Sequence, residues 1–198
     1  MQKLYSSLSK NLREFEDQKI KQWEQGVQES TEEKLNQYLL VREESDQIEE
    51  GFLRVNFDPV LVRLLREVKY LLILDIPVPE RASGLYEKVN IYRSQTGNLD
   101  LIVTMYNDIL TTLLPVEKPL LADRIEKINS ALQPGLDTLM WNSGNIDQFI
   151  NQVMPIVKDV DELVKKMKEN IKKMSEMMDK WEKPLFERKN KPFYPDDL

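Results

Sequence analysis

The chain has 198 residues, 41% hydrophobic and 31% charged, with six glycines and a net charge of −6. That length supports one domain or two small ones with a real core, and the balance favours a helical chain with much solvated surface. Cysteine and histidine are both absent, which excludes zinc sites built on those ligands, thiolate nucleophiles and Ser-His-Asp triads within these residues.

No apolar run approaches bilayer length, and the first twenty residues are too polar for a signal peptide. Nothing points to an oxidising compartment, so an intracellular home is expected. Neither a G-x-x-x-x-G-K-[ST] nor a G-x-G-x-x-G loop occurs. We therefore expect no enzyme activity, no cofactor and no small-molecule substrate.

Residues 1–54 read as a weakly amphipathic helical segment. Leu4, Leu8, Leu12 and Phe15 share a face that Trp23 and Val27 resume. Ser30 stands three residues before Glu33, the spacing of a capping box, which predicts a helix end near Gly26 and a fresh start near Ser30. From Glu29 to Glu50 eight acids oppose Lys34 and Arg42, a local net of −6. The bland reading is a solvated helix face. The sharper one is a docking surface for a basic partner, with Glu43, Glu44, Glu49 and Glu50 as candidate contacts. Since the rest of the chain is balanced, no nucleic-acid footprint is expected.

Asp58-Pro59 is a strong helix start, a capping acid followed by proline at the first helical position. The segment VLVRLLREVKYLLIL (60–74) carries a helical apolar stripe that widens until no polar face remains at Tyr70 to Leu74. Burial of that end on nearly all sides is the expectation. Pro77 and Pro79 then end the helix. A second long helix is expected from about Pro79–Leu85 through Leu113, with a seam at Leu85, Val89, Tyr92, Leu99, Val103, Tyr106, Leu110 and Leu113, where Thr96 fills the one gap. The seam resumes out of phase at Leu121, Ile125, Ile128 and Leu132, and Pro115 and Pro119 at the slip predict a kink or broken turn.

The stretch LQPGLDTLMWNSGN (132–145) reads as a corner. Pro134 and Gly135 break the rod, Trp141 plugs the junction, and Asn142-Ser143-Gly144 reverses the chain before Asn145 caps the next helix. That helix shows the longest pattern: Ile146, Ile150, Val153, Val157, Val160, Val164, Met167, Ile171, Met174, Met178 and Trp181 alternate steps of four and three. The methionines suit helix packing better than a pliable groove. Lysines 165, 166, 168, 172 and 173 alternate with Glu169, Glu176 and Asp179, so a solvated bundle helix is preferred over a membrane-surface helix. Lys183-Pro184 should end it, leaving 184–198 as an extended, proline-rich connector.

The predicted fold is all-α: an elongated bundle of long antiparallel helices with coiled-coil-like seams over 55–183. Leu64, Leu65, Val68, Tyr106, Leu110, Trp141, Val160, Val164 and Ile171 are the expected core residues. A freestanding coiled-coil adaptor that self-associates through the 146–181 seam is the alternative.

NFDPVLVRLLREVKYL (56–71), TGNLDLIVTMYNDI (96–109), LQPGLDTLMWNS (132–143) and the closing W-x-K-PLFERK pattern at 181–189 together resemble the N-terminal tail of dynein heavy chains. The likeness covers roughly residues 52–190. The ending looks more like axonemal, outer-arm heavy chains than the cytoplasmic form. The proline pair at 115 and 119 departs from the family pattern. The resemblance implies a non-catalytic excerpt of a motor tail whose partners are other dynein heavy chains and intermediate and light chains, with no nucleic acid and no membrane insertion. It also implies a cytoskeletal location, in the ciliary axoneme.

Overall fold

The computed structural model describes residues 2–44 and 51–189. Six α-helices and one two-stranded hairpin occur among them: α1 (Gln2–Leu35), β1 (Leu40–Glu43), β2 (Phe52–Val55), α2 (Pro59–Ile73), α3 (Glu80–Glu87), α4 (Val89–Thr112), α5 (Ala122–Asp137) and α6 (Ile146–Lys189), with a 3₁₀ turn at Lys118–Leu121. The all-α class holds. The N-terminal segment does not remain helical to residue 54, because the chain after Leu35 turns into the hairpin. Nor is there a break near Gly26 or Ser30; α1 is continuous.

The hairpin pairs Leu40 with Val55 and Glu43 with Phe52 in antiparallel register. Two strands alone are marginal in water, and this pair leans on α4. The side-chain amide of Asn107 accepts from the Leu53 N–H (3.0 Å) and donates to the Leu53 carbonyl (2.9 Å), acting as one more strand edge. Leu40 and Leu53 point into the core. Gly51, at φ 76°, closes the turn where a Cβ would lie 2.6 Å from the Glu43 carbonyl oxygen.

Asp58 caps α2, accepting from the Val60 N–H at 2.7 Å, with Pro59 in the first turn. The helix stops before the prolines: the Ile76 N–H reaches the Leu71 carbonyl (3.0 Å) and the Asp75 N–H reaches that of Leu72 (3.3 Å). This is a Schellman ending with Asp75 at φ 56° in the position glycine usually takes. The end of α2 is not buried as its composition suggested. Tyr70, Leu72, Ile73 and Leu74 are all exposed, Leu74 by 67%. Loss of the polar face says that a surface wants cover, and the cover is not among the described residues.

The predicted second long helix is two helices, parted at Lys88. The break expected at Pro115 and Pro119 is present as the turn and 3₁₀ segment between α4 and α5. Gln95 donates to Asp147 (3.1 Å) and Lys168 pairs with Glu117 just past α4, so α4 and α6 run in the same direction. α5 lies antiparallel to both: Tyr106 of α4 donates to Asn129 (2.7 Å), and Arg124 pairs with Asp159 of α6 (2.9 Å). An all-antiparallel bundle is therefore corrected to a mixed one. The turn after α4 reverses the chain, and the 138–145 corner reverses it again.

The rod does not break at Pro134-Gly135; α5 continues through both to Asp137. Pro134 forgoes one backbone bond and crowds the carbonyl four residues earlier, a cost the helix bears near its C-terminal end. Gly135 is needed for packing: a Cβ would come within 2.9 Å of the Phe149 ring and 3.0 Å of Leu40. Similarly α6 runs past Pro184 to Lys189, so the connector expected from 184 does not begin there. Residues 190–198 lie outside the described residues.

Candidate interaction surfaces

The corner after α5 joins three chain segments. Leu39 N–H donates to the Leu139 carbonyl (3.0 Å), Trp141 N–H to that of Gln37 (3.3 Å), and Asn142 N–H to that of Leu35 (3.2 Å). The Trp141 indole N–H donates to the Asn56 carbonyl at 2.6 Å. Its ring meets Phe57 edge-on, 4.8 Å between centroids, and Phe57 in turn touches Tyr92. One tryptophan thus ties α5, the hairpin base and the start of α2 together, and it is 2% exposed.

Leu64, Val68, Tyr106, Leu110, Val160 and Val164 are also buried, while Leu65 is half-buried. Ile171 is 47% exposed and is not a core residue of this chain. The seam itself is unbroken in α6, but α4 and the turn after it reach only as far as Lys168. Past that point Ile171, Met174, Met178 and Trp181 have no cover among the described residues. Tyr5, Leu8, Leu12 and Phe15 of α1 are likewise exposed, and α1 meets the described body through its C-terminal part. There Trp23 donates to Glu67 (2.8 Å), Lys34 pairs with Asp58 (2.5 Å) and Arg81 with Glu32 (3.0 Å).

Of the acidic candidates, Glu43 and Glu44 are exposed on the hairpin, and Glu43 is engaged by Arg54 at 2.6 Å. Glu49 and Glu50 lie outside the described residues. Glu43 and Glu44 belong to the hairpin and not to either overhanging helix.

Sequence reasoning missed Glu117, which clasps the turn between α4 and α5 to α6. Its carboxylate takes the Lys168 ammonium and accepts the Leu114 N–H (2.8 Å). These contacts, the lysine first, hold its carboxyl below the usual range. Asp58 is held down in the same sense, by Lys34 first and by the Val60 N–H, against the opposing effect of burial. The available signal for Glu117 was its place between two prolines, where a freed backbone N–H needs an acceptor.

Carboxyls depressed in the fold contribute stability that is fully present above their unfolded values, near pH 4, and is lost as pH falls through the folded values. A Glu117→Gln/Asp58→Asn chain should therefore be less stable at neutral pH and show a shallower decline on acidification. Urea midpoints across a pH series would check this; parallel curves would contradict it.

No group of three or more metal-ligating side chains is found among the described residues, and none of their helices is long and apolar enough to cross a membrane.

The sequence matches the family described as dynein heavy chain, N-terminal region 1, over residues 1–149. It is 34% identical over all of its length to the dynein beta chain of the flagellar outer arm from Chlamydomonas reinhardtii. To a ciliary dynein beta chain of Tripneustes gratilla it is 35% identical over 93% of its length, and to dynein axonemal heavy chain 17 of Mus musculus 34% over 87%. The chain spans only 5% of the first of these relatives and 4% of the other two.

Proposed function

Because this chain belongs to the dynein heavy chains, within their N-terminal region, we propose that it is a non-catalytic scaffold. It joins heavy chains to one another and carries intermediate and light chains, so that the motor is anchored to its cargo or doublet. The axonemal and ciliary relatives indicate a place in the ciliary axoneme.

The observation that carries this reading is the pair of overhanging amphipathic helices. The α6 face keeps its heptad spacing beyond the bundle, at Ile171, Met174, Met178 and Trp181, and these residues are exposed. Contiguous apolar stripes of that kind are interaction sites, and a long seam resists sliding because every layer must unpack together. The freestanding adaptor is less well supported. Every seam position from Ile146 to Val164 is buried within the chain itself, leaving only the outer part for another molecule.

Purified axonemal intermediate and light chains should be retained on immobilised chain, and a Met174→Asp/Met178→Asp variant should lose most of that retention. No retention by the unaltered chain would overturn the scaffold reading.

A further inference from the structure

Between α2 and the α3–α4 junction lies an open cleft of about 780 Å³. Phe57, Leu65 and Tyr92 form part of its apolar lining. Two helix rows line it: Val62, Arg66 and Lys69 on α2, and Val89, Arg93 and Thr96 on α4. Each row has i, i+4, i+7 spacing, the arrangement whose groove accepts the ridge of a further helix.

Charge narrows the choice of that helix. Arg66, Lys69 and Arg93 are exposed at the cleft, opposed in its lining by the single carboxylate of Glu87. None of the three forms an ion pair among the described residues. Four other exposed arginines are matched: Arg54 with Glu43, Arg63 with Glu67, Arg81 with Glu32 and Arg124 with Asp159. Three cations against one carboxylate around an apolar floor give the cleft a local positive excess in a chain of net charge −6.

We infer that this cleft docks an amphipathic helix of another protein subunit, with its apolar ridge on the floor and flanking Glu or Asp side chains on Arg66, Lys69 and Arg93. The inference rests on the scaffold reading, since it requires a protein partner. A nucleic acid fits less well. A sugar-phosphate backbone has nothing to cover the apolar floor, and the overall negative charge opposes a polyanion's approach.

The probe is a fluorescent helical peptide of about fifteen residues with leucines at i, i+3, i+4 and i+7 and glutamates around them. Its counterparts are the same peptide with lysine for every glutamate and a single-stranded oligo-dT. In anisotropy titrations at low salt, the acidic peptide should bind the 198-residue chain saturably and the other two should not. Arg66→Glu/Lys69→Glu/Arg93→Glu should weaken binding about tenfold or more, and so should added salt. If that variant melts early, Arg66→Gln/Lys69→Gln/Arg93→Gln carries the same expectation. No saturable acidic-peptide binding, equal binding to the altered chains, or tighter binding of oligo-dT through the same residues overturns the inference. Retention of dynein subunits without peptide binding would remove the cleft inference alone. Peptide binding without any retention would remove the scaffold reading alone.

Discussion

Trp141→Ala is expected to destabilise the chain by about 3–5 kcal/mol, the range for truncating a large buried aromatic, and to lower the melting temperature on the order of 10 °C for a domain of this size. Three losses combine. The ring leaves a void beside Phe57. The Asn56 carbonyl loses the indole donor at 2.6 Å, and an unsatisfied buried acceptor has its own cost. The hairpin base also loses the side chain that ties it to the corner. Trp141→Phe separates these effects: it keeps most of the apolar contact and removes the indole N–H, so about 1–2 kcal/mol should be lost. Urea denaturation followed by circular dichroism measures both. An unchanged midpoint for Trp141→Ala would show that the corner is not a junction of the core.

Trp141 also marks the limit of what was legible in the sequence. Its burial could be expected, because a tryptophan between a proline–glycine pair and an Asn-Ser-Gly turn has few other roles. Its partner could not, since Asn56 stands 85 residues earlier. Local chemistry read well: the Asp58 cap, the first-turn Pro59 and the break at Pro115 and Pro119 each act within a few residues. The hairpin did not. Each strand has only four residues, and the strands hold against Asn107, 54 positions after Leu53. The alternation of Leu40 to Arg42 with Phe52 to Val55, and Gly51 between them, was the available signal.

A different limit applies to α2 and α6. Periodicity reports that a face requires cover, and it is silent on which molecule supplies it. That is why the pattern at Tyr70, Leu72, Ile73 and Leu74, and at Ile171, Met174, Met178 and Trp181, predicts burial although these residues are exposed in this chain. The cleft cations escaped notice for a related reason. Arg66 and Lys69 share a helix face, but Arg93 joins them only because α2 and α4 line the same cleft.

Val157 and Met178 occupy equivalent positions of one heptad seam, and an aspartate at each should have opposite consequences. Val157 is 0% exposed in the core cluster, whereas Met178 is 62% exposed. Val157→Asp removes apolar packing and places a carboxylate within the buried apolar cluster, an uncompensated charge worth about 3–5 kcal/mol or more. Burial should raise the new carboxyl's folded value above its unfolded one. Its charge penalty is then greatest above the raised folded value, eases as pH falls from there towards about 4, and is constant below that, where both states are protonated. Met178→Asp should change the stability of the chain by less than about 0.5 kcal/mol, as substitutions at solvated sites do. If the outer seam is covered in a dynein tail, the same Met178→Asp chain should be excluded from the assembled complex while remaining folded. Equal destabilisation by the two substitutions would mean that the outer seam is already buried in the isolated chain, as an intermolecular coiled coil would bury it. Melting measured over a range of protein concentration distinguishes these outcomes, because only a seam shared between chains makes the midpoint fall on dilution.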